Sequence, residues 1–239
     1  MKNKSARNLR TQIVNELGFK IIKGDLAAGT ILTSGSLERK YLVSRTVIRE
    51  ALPELHIRGI TKAKTKTGTM VLDRFNWNML DLDVLNWLKV SGISNELIEE
   101  FEELRFTYEP GVARIAAKRR TATDIATLKS ALKKMTDAFH QYGPTSELIG
   151  RADMEFHEAI QSATQNNLIK KMGKLILPLL EVRGNLVEHV IKEADFIVQH
   201  RAILDAVIDE NPDAAELAMK VLLAAASRAS AKISKKELT

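Results

Sequence analysis

The 239-residue chain has no cysteine. That excludes disulfides and thiolate-held metals and makes a cytoplasmic location the expectation. It has no run of eighteen apolar residues, and its opening Met-Lys-Asn-Lys-Ser leads into no apolar signal segment, so no membrane partner is expected. No glycine loop able to cradle a phosphate and no serine nucleophile elbow occurs, which removes the commonest signs of nucleotide chemistry and serine hydrolysis. Beyond residue 75 no segment alternates apolar and polar residues as a strand would.

What is present is ordinary for a globular chain, with 45% hydrophobic and 28% charged residues. The length suits two modest domains. The net charge of +6 is unevenly distributed. Residues 1–74 carry fifteen Lys and Arg against six Asp and Glu, whereas residues 75–239 carry twenty-one against twenty-four. A cationic head on a neutral-to-acidic body fits a polyanion partner for the head, although a basic domain without a partner would have the same charge.

Within the head, Leu9, Ile13, Val14, Leu17, Ile21 and Ile22 form a helical stripe over 5–23, ended by Gly24. A short helix around Ser36–Tyr41 follows, then a break before Ser44. Ser44 is placed to cap the next helix through its hydroxyl. Val47, Ile48, Ala51, Leu52 and Leu55 bury one face of that helix and leave Arg45, Thr46 and Arg49 on another. Arg45 and Arg49, four apart, project together near the helix N-terminus, as the side chains of a recognition helix in a major groove do. Residues 59–61 and 68–71 read as two strands around a basic tip, Lys62 to Thr67. Lys62, Lys64 and Lys66 alternate and so share one side of a ribbon able to follow a phosphate backbone.

These residues resemble the GntR family of regulators. The matching stretches are Ile22 to Leu32, Val43 to Leu52, Arg58-Gly59-Ile60 and Lys66 to Thr69. The resemblance implies a winged helix-turn-helix with a two-stranded wing. It also implies DNA contacts from Arg45, Thr46 and Arg49 and a wing backbone brought close to a groove at Gly68. With Ser44, Lys64, Lys66 and Thr67 these form the candidate surface for a double-stranded operator. One departure stands out: the Arg that the family places near position 35 is missing from Thr33-Ser34-Gly35-Ser36-Leu37.

The body reads as all-helical, over about 79–90, 95–119, 122–141, 145–164, 166–191, 193–209 and 212–235. Ser94 or Asn95, Thr121 or Thr123, Asn166, and Asn211 before Pro212 supply caps. The expected division is a winged helix over 1–74, a linker and connecting helix over 75–92, and a helical effector domain over 93–239. Trp77 and Trp87 read as packing anchors between the domains.

Several polar residues fall on apolar faces of these helices. Asp153 and His157, spaced i and i+4, edge the stripe of Ile149, Ala152, Phe156 and Ile160. His200 sits among Ile197, Ile203, Leu204 and Val207, and Arg105 interrupts Phe101, Tyr108 and Val112. Charged groups so placed are costly unless paired or bound to a ligand. One carboxylate and two imidazoles suit a divalent transition metal such as Zn, Ni or Mn, and an inward Arg suits capture of a carboxylate. The other possibility is an internal network in which Arg105 or His200 satisfies Asp153. His56, His140 and His189 match no motif and read as surface or structural.

This half resembles the ligand-sensing FCD domain of the FadR subfamily of GntR regulators. The matches are Leu104-Arg105, Glu109-Pro110, Ala116-Ala117, Asp153 to His157, His200 to Ile203, and Asp213 to Ala215. Metal-binding members carry a further His, which falls here at about Leu222 and cannot coordinate. Three protein ligands would then leave positions open for water or effector. The stretch Trp77 to Trp87 is similar to the branch that includes the galactonate-operon repressor, which implies a sugar acid such as a hexonate as effector. A single recognition helix per chain points to a homodimer reading half-sites roughly 34 Å apart. On these grounds the chain reads as a repressor released by a small acidic metabolite. A metal-dependent enzyme built on Asp153, His157 and His200 is the rival, and the basic head argues against it.

Overall fold

The computed structural model describes residues 2–92, 94–143, 146–174, 176 and 193–236. The chain divides into two compact units, Met1–Ile93 and Ser94–Thr239.

The first unit contains α1 (Lys2–Ile22), β1 (Ile31–Leu32), α2 (Ser34–Tyr41), α3 (Arg45–Ile57), β2 (Thr61–Lys64), β3 (Gly68–Val71), a 3-10 turn at Arg74–Asn76 and α4 (Leu82–Ser91). The stripes expected of α1 and α3 form its core: Ile13, Val14, Leu17 and Ile21 face Val47, Ile48, Ala51, Leu52 and Leu55, all buried. Leu9, placed on the stripe by its spacing, is instead 39% exposed. Arg10 pairs with Glu54 at 2.9 Å and ties α1 to α3.

The wing gains a third strand, because β1 joins the sheet in the antiparallel order β1-β3-β2. Ile31 lies opposite Met70 and Thr61 opposite Val71. A two-residue strand has no periodicity of its own, so only its partner reveals it.

The segment after the wing turns back onto the unit. Asn78 donates its backbone N–H to the carbonyl of Arg58 at 2.9 Å, and Trp77 donates its ring N–H to that of Leu72 at 3.2 Å. Trp87, on α4, covers Gly18 of α1 so closely that a Cβ there would lie 2.5 Å from the ring. Both tryptophans, expected as anchors between domains, are thus engaged inside the first unit. The segment expected as a linker belongs to its fold.

Helices are the regular elements described in the second unit: α5 (Asn95–Arg119), α6 (Ala122–Tyr142), α7 (Glu147–Ala163), α8 (helical over 167–174), α9 (Glu193–Ile208) and α10 (Pro212–Lys236). The rest of the helix expected over 166–191, apart from Ile176, lies outside the described residues. Ser94, Thr121, Ser146, Asn166 and Asn211 accept hydrogen bonds from first-turn amides, and Thr121 with Asp124 forms a reciprocal capping box. The core is aliphatic. Val112, Leu128, Met135, Ile160, Ile203, Val207 and Met219 pack around Phe156, and alanines such as Ala113 and Ala116 let helices approach closely. No helix among the described residues is long and apolar enough to cross a membrane.

Two glycines test the first unit. Gly59 has φ 71°, and a Cβ there would sit 2.1 Å from the carbonyl oxygen of Asn76, while Gly24 has φ 88° with open space around it. Gly24→Ala is expected to cost about 1 kcal/mol, the strain of a left-handed alanine. Gly59→Ala must also displace backbone and is expected to cost at least about 3 kcal/mol. Urea unfolding of the two variants checks the order, and equal costs would show that the turn at Asn76 does not constrain residue 59.

Candidate functional site

Helix α3 begins at Ser44, whose backbone is extended and whose carbonyl accepts from the amides of Val47 (3.1 Å) and Ile48 (3.4 Å). Its hydroxyl makes no capping bond, contrary to expectation, and the residue is exposed. Arg45, Thr46 and Arg49 are exposed on the face opposite the buried stripe. Arg45 approaches Glu38 only at 4.0 Å, a solvent-screened contact that leaves its guanidinium available. Gly35, where the family's Arg is missing, has nothing within 4 Å of its absent side chain.

In the wing, Lys62 and Lys64 are exposed on one face of β2. Lys66 does not extend that row. It sits in the turn with φ 61°, beyond the last β2 residue, so alternation stops at Lys64. Thr67 donates its hydroxyl to the Thr65 carbonyl at 3.2 Å. Gly68 has φ 133°, and a Cβ there would lie 2.6 Å from the carbonyl of Leu32. The close approach of β1 therefore demands this glycine from within the fold, independently of any groove.

The second unit brings together Arg105, Asp153, His157 and His200, and adds a residue that had not been singled out. Glu109, one turn after Arg105 on α5, receives the guanidinium on both oxygens, from Nε at 2.5 Å and from Nη2 at 3.1 Å. Both side chains are buried. Arg105, expected to capture an external carboxylate, already holds an internal one. The same i, i+4 spacing that marked Asp153 and His157 marks this pair.

From Glu109 the chain of contacts continues through His157 Nδ1 at 3.0 Å, and His157 Nε2 faces Asp153 Oδ1 at 3.6 Å. Asp153 Oδ1 meets His200 Nε2 at 2.8 Å, and His200 Nδ1 meets the Phe196 carbonyl at 2.8 Å. His157 is almost fully buried and His200 fully so, whereas Asp153 keeps 20% exposure. The rings of Phe156 and Phe196 lie 5.1 and 4.4 Å from that of His200.

These acceptors fix the tautomers. A carbonyl or a carboxylate can only accept, so Nδ1 of each imidazole carries a proton. A neutral His157 or His200 then presents a bare Nε2 to Asp153, lone pair against carboxylate, unless a proton or a cation lies between them. Burial would raise the pKa of Asp153, but when the imidazoles are protonated the charge of His157 and the hydrogen bond from His200 outweigh it and hold it down at about 2. Burial opposes ionisation of Glu109 in the same way, and the charges of Arg105 and His157 keep it well below the usual carboxylate range.

The donor set fits a divalent metal on this ground. One ligand atom from each of Asp153, His157 and His200 can be chosen so that all lie within 4.8 Å of one another. Both imidazoles are oriented by acceptors on the far nitrogen, as metal-binding histidines usually are. Leu222 is buried in the helical core and offers no ligand atom. His56 is half-buried, and burial lowers its pKa; His140 is exposed; His189 lies outside the described residues.

Residues 9–71 match the GntR family of bacterial regulatory proteins, and residues 100–225 match the FCD domain. The chain belongs to the GntR family. It is 30% identical to the galactonate operon transcriptional repressor of Escherichia coli (strain K12) over 92% of this chain and 96% of that one. It is 29% identical to the Uxu operon transcriptional regulator of the same strain, over 74% and 68%. The fold is shared with Lar of Listeria monocytogenes, with a TM-score of 0.60 at 17% identity over 93% and 96%. As a GntR regulator the chain is a DNA-binding transcription factor, and its relatives are regulators, not enzymes.

The Arg105–Glu109 pair yields a direct test. Glu109→Gln leaves a buried guanidinium without its counter-charge and is expected to destabilise the second unit by about 3–5 kcal/mol. Chemical unfolding checks this, and a loss below 1 kcal/mol, on the order of an exposed pair, would mean that the guanidinium reaches water.

Proposed function

We propose that this GntR regulator is a repressor, a homodimer whose helical unit binds a small carboxylate together with a divalent metal and then lets go of its operator. The observation that carries the reading is the buried chain from Arg105 to His200, in which two imidazoles with fixed tautomers turn their free nitrogens toward one carboxylate.

Its formal charge makes the metal part of the reading. With neutral imidazoles, Arg105 cancels Glu109 and Asp153 remains, so the cluster is anionic and repels a carboxylate. Asp153, His157 and His200 would hold the metal, whose two charges make the cluster cationic and whose open coordination positions receive an anion. Glu109 holds the Arg105 and His157 side chains in place, leaving the Nη1 hydrogens and one Nη2 hydrogen of Arg105 to offer a ligand. The 30% identity to a galactonate operon repressor makes a hexonate, galactonate first, the effector to test.

On the other unit, Ser44, Arg45, Thr46 and Arg49 would read the major groove, and Lys64, Lys66, Thr67 and Gly68 would follow the backbone beside it. A regulator of this kind acts where the chromosome is, in the cytoplasm. Effector binding shifts the DNA-competent population only by the difference in its affinity for the two states.

Two measurements follow. Galactonate is expected to raise the melting temperature of the full chain in Zn²⁺, Ni²⁺ or Mn²⁺ but not in EDTA, and His157→Ala is expected to abolish the shift; an equal shift in EDTA would remove the metal from the account. Arg49→Ala is expected to weaken binding to DNA selected by the wild-type chain by about 1–3 kcal/mol. Unchanged affinity in a gel-shift titration would take Arg49 off the contact surface.

A further inference from the structure

Leu42 closes α2 with φ 53° and ψ 39°, in the left-handed region. Three other non-glycine residues with positive φ are described, Lys66, Gln165 and Glu210, and all are polar. Leu42 alone among the described residues holds an apolar side chain in this conformation, which pushes Cβ toward the following carbonyl oxygen. Burial does not compensate, since the residue is 90% exposed. Neither backbone preference nor core packing accounts for a leucine at this place.

Its neighbours do bear on a partner. Arg39 and Lys40 precede it on α2. Ser44, two residues on, begins α3 with a hydroxyl not used in capping, and Arg45 and Thr46 follow on the exposed face. The N-terminal end of a recognition helix is the part that enters a major groove. Base edges there present donors, acceptors and a single apolar group, the C5-methyl of thymine.

We infer that Leu42 is a specificity-determining residue that packs its side chain on a thymine methyl of the operator. The inference rests on α3 being the recognition helix. The strained, exposed leucine then has its chemical match in the DNA-bound state, where its methyl groups leave water.

The probe is a duplex selected from a random-sequence pool by the full-length wild-type protein, with each thymine replaced in turn by deoxyuracil, which lacks the methyl. One thymine per half-site is expected to be methyl-sensitive, its replacement weakening wild-type binding by about three- to fivefold, the worth of one buried methyl group. Leu42→Gly relieves the left-handed strain, so its melting temperature should rise. It should bind the thymine duplex correspondingly more weakly and no longer distinguish thymine from uracil at that position. Leu42→Asn, which tolerates the same conformation, should show the same loss of discrimination. If Arg49→Ala weakens binding while Leu42→Gly binds as tightly as wild type or still discriminates thymine, or if no thymine is methyl-sensitive, the role of Leu42 is overturned and α3 keeps its assignment. If neither substitution weakens binding, the assignment of α3 falls, and Leu42 with it.

Discussion

A guanidinium sealed inside a helical unit must find a negative charge, and much of the second unit is arranged around that requirement. Arg105 takes Glu109 on both oxygens, and the carboxylate that neutralises it also orients His157. His157 and His200 converge on Asp153, and His200 is anchored in turn by the Phe196 carbonyl. Three helices, α5, α7 and α9, each contribute to one line of contacts. In a low-dielectric interior such a line is worth most when every member is present, because removing one leaves its neighbour desolvated and unpaired.

Much of this was legible from spacing. The buried face of α3, the four-residue step from Asp153 to His157, and His200 among apolar neighbours all follow from a period of 3.6 residues. Glu109 was legible by the same rule, one turn from Arg105, but an inward Arg next to a candidate metal cluster invites an external ligand as its partner and so hides the internal one. The structural demand on Gly68 was hidden for a different reason. What crowds it is β1, a two-residue strand whose existence depends on a segment nearly forty residues away. The hydroxyl of Ser44 reads as a cap because its residue type favours one, and only the backbone geometry shows that the carbonyl carries the N-terminus alone.

The first unit also shows how a family motif can be structural. Arg58 belongs to one of the short stretches that carry the resemblance to the GntR family. In the structure it donates to the Glu54 carbonyl at 2.8 Å, meets Asp81 at 3.3 Å, bonds Asp83 and stacks 5.8 Å over Trp87. It therefore fixes the start of α4 against the end of α3, and Gly59 beside it admits the returning backbone at Asn76. Composition and charge cannot separate such an arginine from one that binds DNA. Burial does, because the guanidinium of Arg58 is largely enclosed by carboxylates while Arg49 is exposed.

That difference in pairing separates two electrostatic settings in one chain. Among the described residues, Arg49, Lys62 and Lys64 stand exposed without a carboxylate partner. Charges of this kind act on a polyanion through a field that salt screens, which gives rapid, weakly selective encounter with any duplex and leaves selectivity to short-range contacts. The charges of the line from Arg105 to His200 in the second unit are paired and largely desolvated, so salt screens them little, and their net sign depends on the protonation of the imidazoles and on what lies between Asp153, His157 and His200. The first arrangement answers to ionic strength and the second, on the proposed reading, to the occupant of a buried site. A regulator needs both behaviours, and paired against unpaired charge is sufficient to keep them apart.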